Sequence, residues 1–196
     1  ECFDFLQDTL GFTSLVERLE KNGLVYSDIA ISPLALGSFT DGVTVLEMTQ
    51  GYTMFANDGI VSEARFFTMI RNSNDEVIID NQGNSNQTAA VSDRTAYIMT
   101  SMLKNVVELP TGTGYSVFST YRTFNDAVEV CGKTGSTNDD RDRYFVGYTP
   151  DFTAAVWFGY DNNKSLGSFS YNPATRLWVE VFNRIYEKYD GEGLYY

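Results

Sequence analysis

Val128-Glu-Val-Cys-Gly-Lys-Thr-Gly-Ser-Thr137 sets a lysine and three hydroxyl side chains behind an apolar, β-branched lead-in. Val128 and Val130 favour a strand, while Gly132 and Gly135 leave room for another backbone or a ligand to come close. Gly-Lys-Thr also ends a phosphate-binding loop, but that loop needs a glycine where this chain has Ala127. Asp139, Asp140, Arg141 and Asp142 then interrupt the helix that would have to follow the lysine. The stretch reads as a strand that presents Lys133 at a cleft.

The 196 residues suffice for a full-sized core, and 43% hydrophobic content is ordinary for a globular protein. A net charge of -12 leaves no basic stripe to neutralise phosphates, which argues against nucleic acid as a partner. A solvated acidic surface accounts for that charge. With zero histidines, histidine-based triads and imidazole metal sites are excluded, so any base must be lysine, carboxylate or tyrosine. Cys2 and Cys131 are far apart and match no metal spacing, and no cofactor is implied. Cys131 reads as a small buried hydrophobe, not a nucleophile. No apolar run approaches the roughly 18 residues of a membrane span, and the N-terminus is not of the secretory kind. The chain begins in helix-like sequence without methionine and is expected to belong to something longer.

Cys2, Phe5, Leu6 and Leu10 recur at helical spacing up to Gly11. Ser14 and Glu17 form a capping-box pattern that predicts a second helix from Leu15 towards Gly23. A loop carrying Pro33 and Gly37 follows. Thr44 and Glu47 repeat the capping signal, with Val45, Met48, Tyr52 and Phe55 on one face of a helix stopped by Asn57-Asp-Gly59. Phe66 to Ile70 and Val77 to Ile79 predict a hairpin, and residues 80 to 90 a mobile loop. Ile98, Met99, Met102, Leu103, Val106 and Val107 predict a helix terminated by Thr111-Gly-Thr-Gly114. Arg143 to Tyr148 and Thr153 to Tyr160 pair around Thr149-Pro-Asp151 and add two strands beside the Lys133 strand. Asn172-Pro-Ala starts a last helix whose face of Leu177, Trp178, Val181, Phe182, Ile185 and Tyr189 covers the sheet, and residues 190 to 196 are expected to fray.

Lys-Thr-Gly is a known element of serine acyltransferases that recognise penicillin. Here it is followed by Tyr144-Phe-Val-Gly-Tyr-Thr-Pro150 and Ala155-Val-Trp-Phe-Gly-Tyr-Asp161. That run closely resembles the segment after Lys-Thr-Gly in class A penicillin-binding proteins. Upstream, Gly42 to Gly59 resembles the family's glycine-valine-threonine turn and the helix ending in Phe-Ala-Asn-x-Gly. Thr95 to Val107 and Gly112-Thr-Gly114 look like its next helix and glycine-threonine-glycine turn.

The resemblance implies an α+β fold, an antiparallel sheet flanked by helices, as part of a β-lactamase/transpeptidase-like domain. It makes residues 1–196 the C-terminal portion of a peptidoglycan D,D-transpeptidase domain, with stem peptides and β-lactam antibiotics as ligands. Thr134 and Ser136 would bind the ligand's carboxylate, with Gly135 and Thr137 beside them. Lys133 would be the catalytic-site cation, and the Ser136 N–H half of an oxyanion hole. The family's other motifs, Ser-x-x-Lys with the nucleophile and Ser-x-Asn, are expected in the missing N-terminal part of the same domain and not in this chain. Ser136-Thr-Asn138 has the letters of the latter but overlaps the lysine motif. Alone the chain is expected not to acylate. The family also implies the extracytoplasmic face of the bacterial membrane, an upstream anchor and a preceding glycosyltransferase domain. Two alternatives stay open: a non-catalytic binding domain on the same scaffold, and a β-lactam-hydrolysing enzyme.

Overall fold

The structure, a computed structural model, describes residues 1–83 and 86–188. Its contacts divide the chain into two units, Glu1–Ser92 and Asp93–Tyr196. In the first, α1 (Cys2–Asp4) runs into a wider π-turn over Phe5–Thr9, and Gly11 beyond it takes a left-handed conformation at φ 75°.

The helix predicted from Leu15 does not form. Instead β1 (Leu19–Lys21) and β2 (Leu24–Tyr26) make an antiparallel hairpin, and both turn residues, Asn22 and Gly23, have positive φ. Asn-Gly is the preferred pair for a two-residue hairpin turn, and here it outweighs the capping pattern. The hydroxyl of Ser14, read as a cap, is donated to Glu47 instead. A short helix, α2 (Ile31–Leu36), occupies part of the stretch read as loop.

Helix α3 (Val45–Ala56) forms as predicted, with Thr44 and Glu47 in a reciprocal capping box. Its buried side is Glu47, Gly51 and Met54, whereas Val45, Met48, Tyr52 and Phe55 are only half-buried. The Phe12 ring packs so closely on Gly51 that a Cβ there would lie 3.3 Å from it. β3 (Ile60–Ser62) follows. β4 (Met69–Arg71) and β5 (Val77–Asp80) make the predicted hairpin, whose turn is held by Asn72 Oδ1 accepting from the N–H groups of Asn74 and Glu76. The segment 80–90 is not all loop, because β6 (Gln87–Ala89) pairs antiparallel with β3. Residues 84 and 85 lie outside the described residues. Phe3, Leu10, Phe12, Leu15, Met54 and Val61 form this unit's core.

In the second unit, α4 (Asp93–Glu108) buries Ala96, Leu103 and Val107, while Ile98 and Met102 of the predicted stripe are exposed. A turn at Thr111–Gly114 separates it from α5 (Tyr115–Tyr121), which the sequence reading had not anticipated. β7 (Cys131–Ser136), β8 (Asp142–Tyr148) and β9 (Thr153–Gly159) form an antiparallel sheet in that order. The motif strand starts at Cys131, not Val128. Val128 closes a turn onto the Asn125 carbonyl, and Arg122 donates to the carbonyls of both residues.

Helix α6 (Pro173–Lys188) begins with proline at its first position, and Asn172 Oδ1 accepts the N–H groups of Ala174 and Thr175. It covers the sheet. Trp178 is fully buried, stacks on Phe182 at 3.6 Å, meets the Phe145 ring edge-on at 5.4 Å, and donates its indole N–H to the Ala154 carbonyl. Truncating such an aromatic costs about 3–5 kcal/mol, so this cluster sets the seating of α6. Leu177 and Val181, assigned to the covering face, are 49% and 43% exposed. Tyr189 and the tail expected to fray lie outside the described residues. The architecture is the expected α+β, with antiparallel sheets and helices.

Candidate active site

β7 is an outer strand, with one edge unpaired among the described residues. Across its paired edge, Lys133 faces Val146, Thr134 faces Phe145, Gly135 faces Tyr144 and Ser136 faces Arg143. Strand side chains alternate, so Lys133 lies on one face and Thr134 and Ser136 on the other. Groups divided in this way can meet one ligand only along an open edge, and β7 has one. The glycines serve the opposite side. A Cβ on Gly132 would lie 2.6 Å from the Phe145 ring, and one on Gly135 would lie 2.9 Å from Tyr144 Cβ. Of the two close approaches these glycines permit, the one realised is by β8.

Lys133 is exposed, and its Nζ donates to the Thr134 carbonyl at 2.9 Å. Thr134 is half-buried, with its hydroxyl oxygen 2.6 Å from that of Thr113. Thr113 belongs to the glycine turn read above as a helix stop and as resembling the family's glycine-threonine-glycine turn, with no role given to the threonine itself. The one sequence signal for it was a threonine set between two glycines.

Ser136 is exposed at the strand's end. Thr137 turns to Asp142: its hydroxyl is donated to Asp142 Oδ2 at 2.8 Å and accepts the Asp142 N–H at 2.9 Å. Asp142 Oδ1 in turn accepts the Trp157 indole N–H at 2.9 Å. Thus Lys133, Thr134, Gly135 and Ser136 follow one another along the strand, while Thr137 secures the turn beyond it.

Cys131 is buried and unbridged, and burial, only partly opposed by a hydrogen bond with Tyr148, pushes its thiol up to about 11. It is protonated at neutral pH and is no nucleophile.

The expectation that Ser-x-x-Lys does not occur in this chain requires correction. Ser101-Met-Leu-Lys104 has that spacing and lies on α4. Lys104 is ion-paired to Glu129 and Glu108, and the hydrogen bond to Glu129, followed by the charge of Glu108, raises its pKa. An ammonium held charged between two carboxylates cannot deprotonate a serine. The letters match here, but the lysine is occupied with structural ion pairs.

The penicillin binding protein transpeptidase domain family matches residues 10–187. Penicillin-binding protein 1A of Clostridium botulinum is 30% identical over 184 residues, covering 92% of this chain and 21% of the relative. Penicillin-binding protein 1A/1B of Bacillus subtilis is 35% identical, covering 88% of this chain and 20% of the relative. The chain therefore spans about a fifth of the length of these relatives. Among solved structures, PonA1 of Mycobacterium tuberculosis in complex with penicillin V superposes with a TM-score of 0.69 at 18% identity, over 98% of this chain and 49% of that one. Penicillin-Binding Protein 1A of Haemophilus influenzae gives 0.66 at 18% identity, over 84% and 29%. The open-edged Lys-Thr-Gly strand, the sheet it borders and a family match over most of the chain lead to one conclusion: this chain belongs to the penicillin-binding protein transpeptidase domain family, in its class A branch.

Proposed function

We propose that residues 1–196 are the C-terminal portion of a class A transpeptidase domain and supply the ligand-binding strand of a serine-type D-Ala-D-Ala transpeptidase that cross-links peptidoglycan. The observation that supports this best is the exposed edge strand carrying Lys133, Thr134 and Ser136 in sequence. A peptide or β-lactam carboxylate is acceptor-only and suits hydroxyl donors beside an ammonium. In this reading Thr134 and Ser136 hold the carboxylate, Lys133 supplies the local positive potential, and the Ser136 N–H faces the developing oxyanion. Gly135 keeps the strand close to β8, and Thr137 contributes through the turn it secures.

The nucleophilic serine and its base belong, in this proposal, to a part of the parent protein outside these residues, because Lys104, the lysine three places after Ser101, is held in ion pairs with Glu108 and Glu129. The chain by itself would then not acylate. The parent would act on the outer side of the bacterial membrane, anchored by another segment and joined to a glycosyltransferase domain. No helix of the described residues is long and apolar enough to cross a membrane.

The engagement of Lys104 also suits a second reading, a domain that binds without catalysis. Covalent labelling of the parent protein by a fluorescent penicillin separates the two. Stable labelling at a serine outside this segment, abolished by mutation of that serine, supports the transpeptidase. Reversible binding without a covalent adduct favours the binder, and rapid turnover of the adduct favours a hydrolase.

A further inference from the structure

We infer that Thr113 is a positioning residue for the carboxylate-binding hydroxyl of Thr134, and that the glycine turn around it exists to deliver it there. The inference rests on the transpeptidase reading above.

The turn is built tightly against the end of α4. Gly112 N–H donates to the Leu109 carbonyl at 2.7 Å and Gly114 N–H to the Val106 carbonyl at 3.0 Å. A Cβ on Gly112 would come 2.3 Å from the Val106 carbonyl oxygen, and one on Gly114 would come 3.2 Å from Val107 Cγ1. A backbone in such contact with a helix end has little freedom. The residue it carries outward, Thr113, is exposed, yet its hydroxyl meets Thr134 at 2.6 Å, across 21 positions of sequence.

The direction of that hydrogen bond follows from the ligand. A hydroxyl has one proton to give and two lone pairs to accept with, whereas a carboxylate can only accept. If Thr134 donates to a bound carboxylate, its single proton is spent there, and the proton in the Thr113–Thr134 contact must come from Thr113. The chain of donation then runs Thr113 to Thr134 to carboxylate. Each link polarises the next, and the rotamer of Thr134 is set before the ligand arrives. Lys133 holds the same residue from its backbone side, through the Thr134 carbonyl.

The test uses the full-length parent protein and measures second-order acylation rates with a penicillin and with its neutral methyl ester. Thr113→Val is expected to slow acylation by the carboxylate form about tenfold while leaving the ester nearly unchanged, so that the preference for the carboxylate falls. Thr113→Ser keeps a hydroxyl and is expected to restore the rate to within about twofold. In a Thr134→Val background, Thr113→Val should have no further effect on the carboxylate form. An equal fall with both substrates, an unchanged rate, or full additivity of the two substitutions would overturn the inference. Thr113→Ala, read by the same ratio, covers the case in which valine disrupts the turn. Absence of labelling in the wild type would overturn the transpeptidase reading itself, and this inference with it.

Discussion

Thr137 and Asp142 close the turn after the motif strand with three mutual hydrogen bonds: hydroxyl to carboxylate at 2.8 Å, Asp142 N–H to hydroxyl at 2.9 Å, and Thr137 N–H to the Asp142 carbonyl at 3.3 Å. Between them Asp139 and Asp140 take left-handed backbone conformations. Asp142→Ala removes the acceptor for Thr137 and strands the Trp157 indole N–H, an expected loss of about 1–3 kcal/mol. A lowered melting temperature of the parent protein checks this, and an unchanged one would mean the turn holds without its carboxylate.

On the transpeptidase reading proposed above, Lys133→Ala and Thr134→Val each remove a group that meets the ligand's anion. Charge-assisted contacts of this kind contribute about 1.5–3 kcal/mol, so each substitution is expected to slow penicillin acylation about tenfold or more. Undiminished rates in both variants would remove the assigned roles.

Glu47 is the carboxylate on which the first unit turns. Burial works against its ionisation, but hydrogen bonds from Ser14, Thr44 and Thr13 prevail and lower its pKa from 4.5 to about 2. A carboxyl depressed on folding stabilises fully above its unfolded value and loses that contribution as pH falls through its folded value. The stabilisation from Glu47 is therefore present above about pH 4.5 and fades towards about pH 2. Glu47→Gln is expected to lower the melting temperature at pH 7 and to make less difference near pH 2.5. A constant gap across that range would show that the charge is not what the site uses.

Burial of Cys131 predicts slow alkylation at pH 8, with exposed Cys2 reacting first, followed by mass spectrometry. Cys131→Ser should alter stability more than acylation. Selective loss of acylation in a folded variant would count against a purely structural thiol.

Gly132→Ala should destabilise by about 1–3 kcal/mol, because its Cβ would lie 2.6 Å from Phe145 and 2.8 Å from the Val146 carbonyl. Gly83→Ala, with nothing within 4 Å among the described residues, is the tolerated control in the same melting experiment.

Features legible in the sequence depend on residues a few positions apart: the Thr44–Glu47 capping box, the Asn172-Pro173 helix start, the hairpins at Met69–Asp80 and Asp142–Gly159, and the existence of α4 and α6. The Lys-Thr-Gly letters, together with the flanking runs Tyr144–Pro150 and Ala155–Asp161, likewise pointed to the motif strand and its family without coordinates. Local chemistry became ambiguous where two signals competed, as when Asn22-Gly23 outweighed the cap at Ser14. Periodicity showed that α4 and α6 have apolar faces wider than what is buried, so only packing against the sheet selected Leu103 over Met102 and Trp178 over Leu177.

Ser101 and Lys104 show the same division: spacing supplied a catalytic pattern, and the Glu129 and Glu108 carboxylates made it a structural one. Thr113 is the reverse case. Its turn resembles one found in the family, but no local pattern shows what the threonine touches, because its partner lies on another element, and a hydrogen bond across 21 residues exists only once the helix end and the edge strand have been packed side by side.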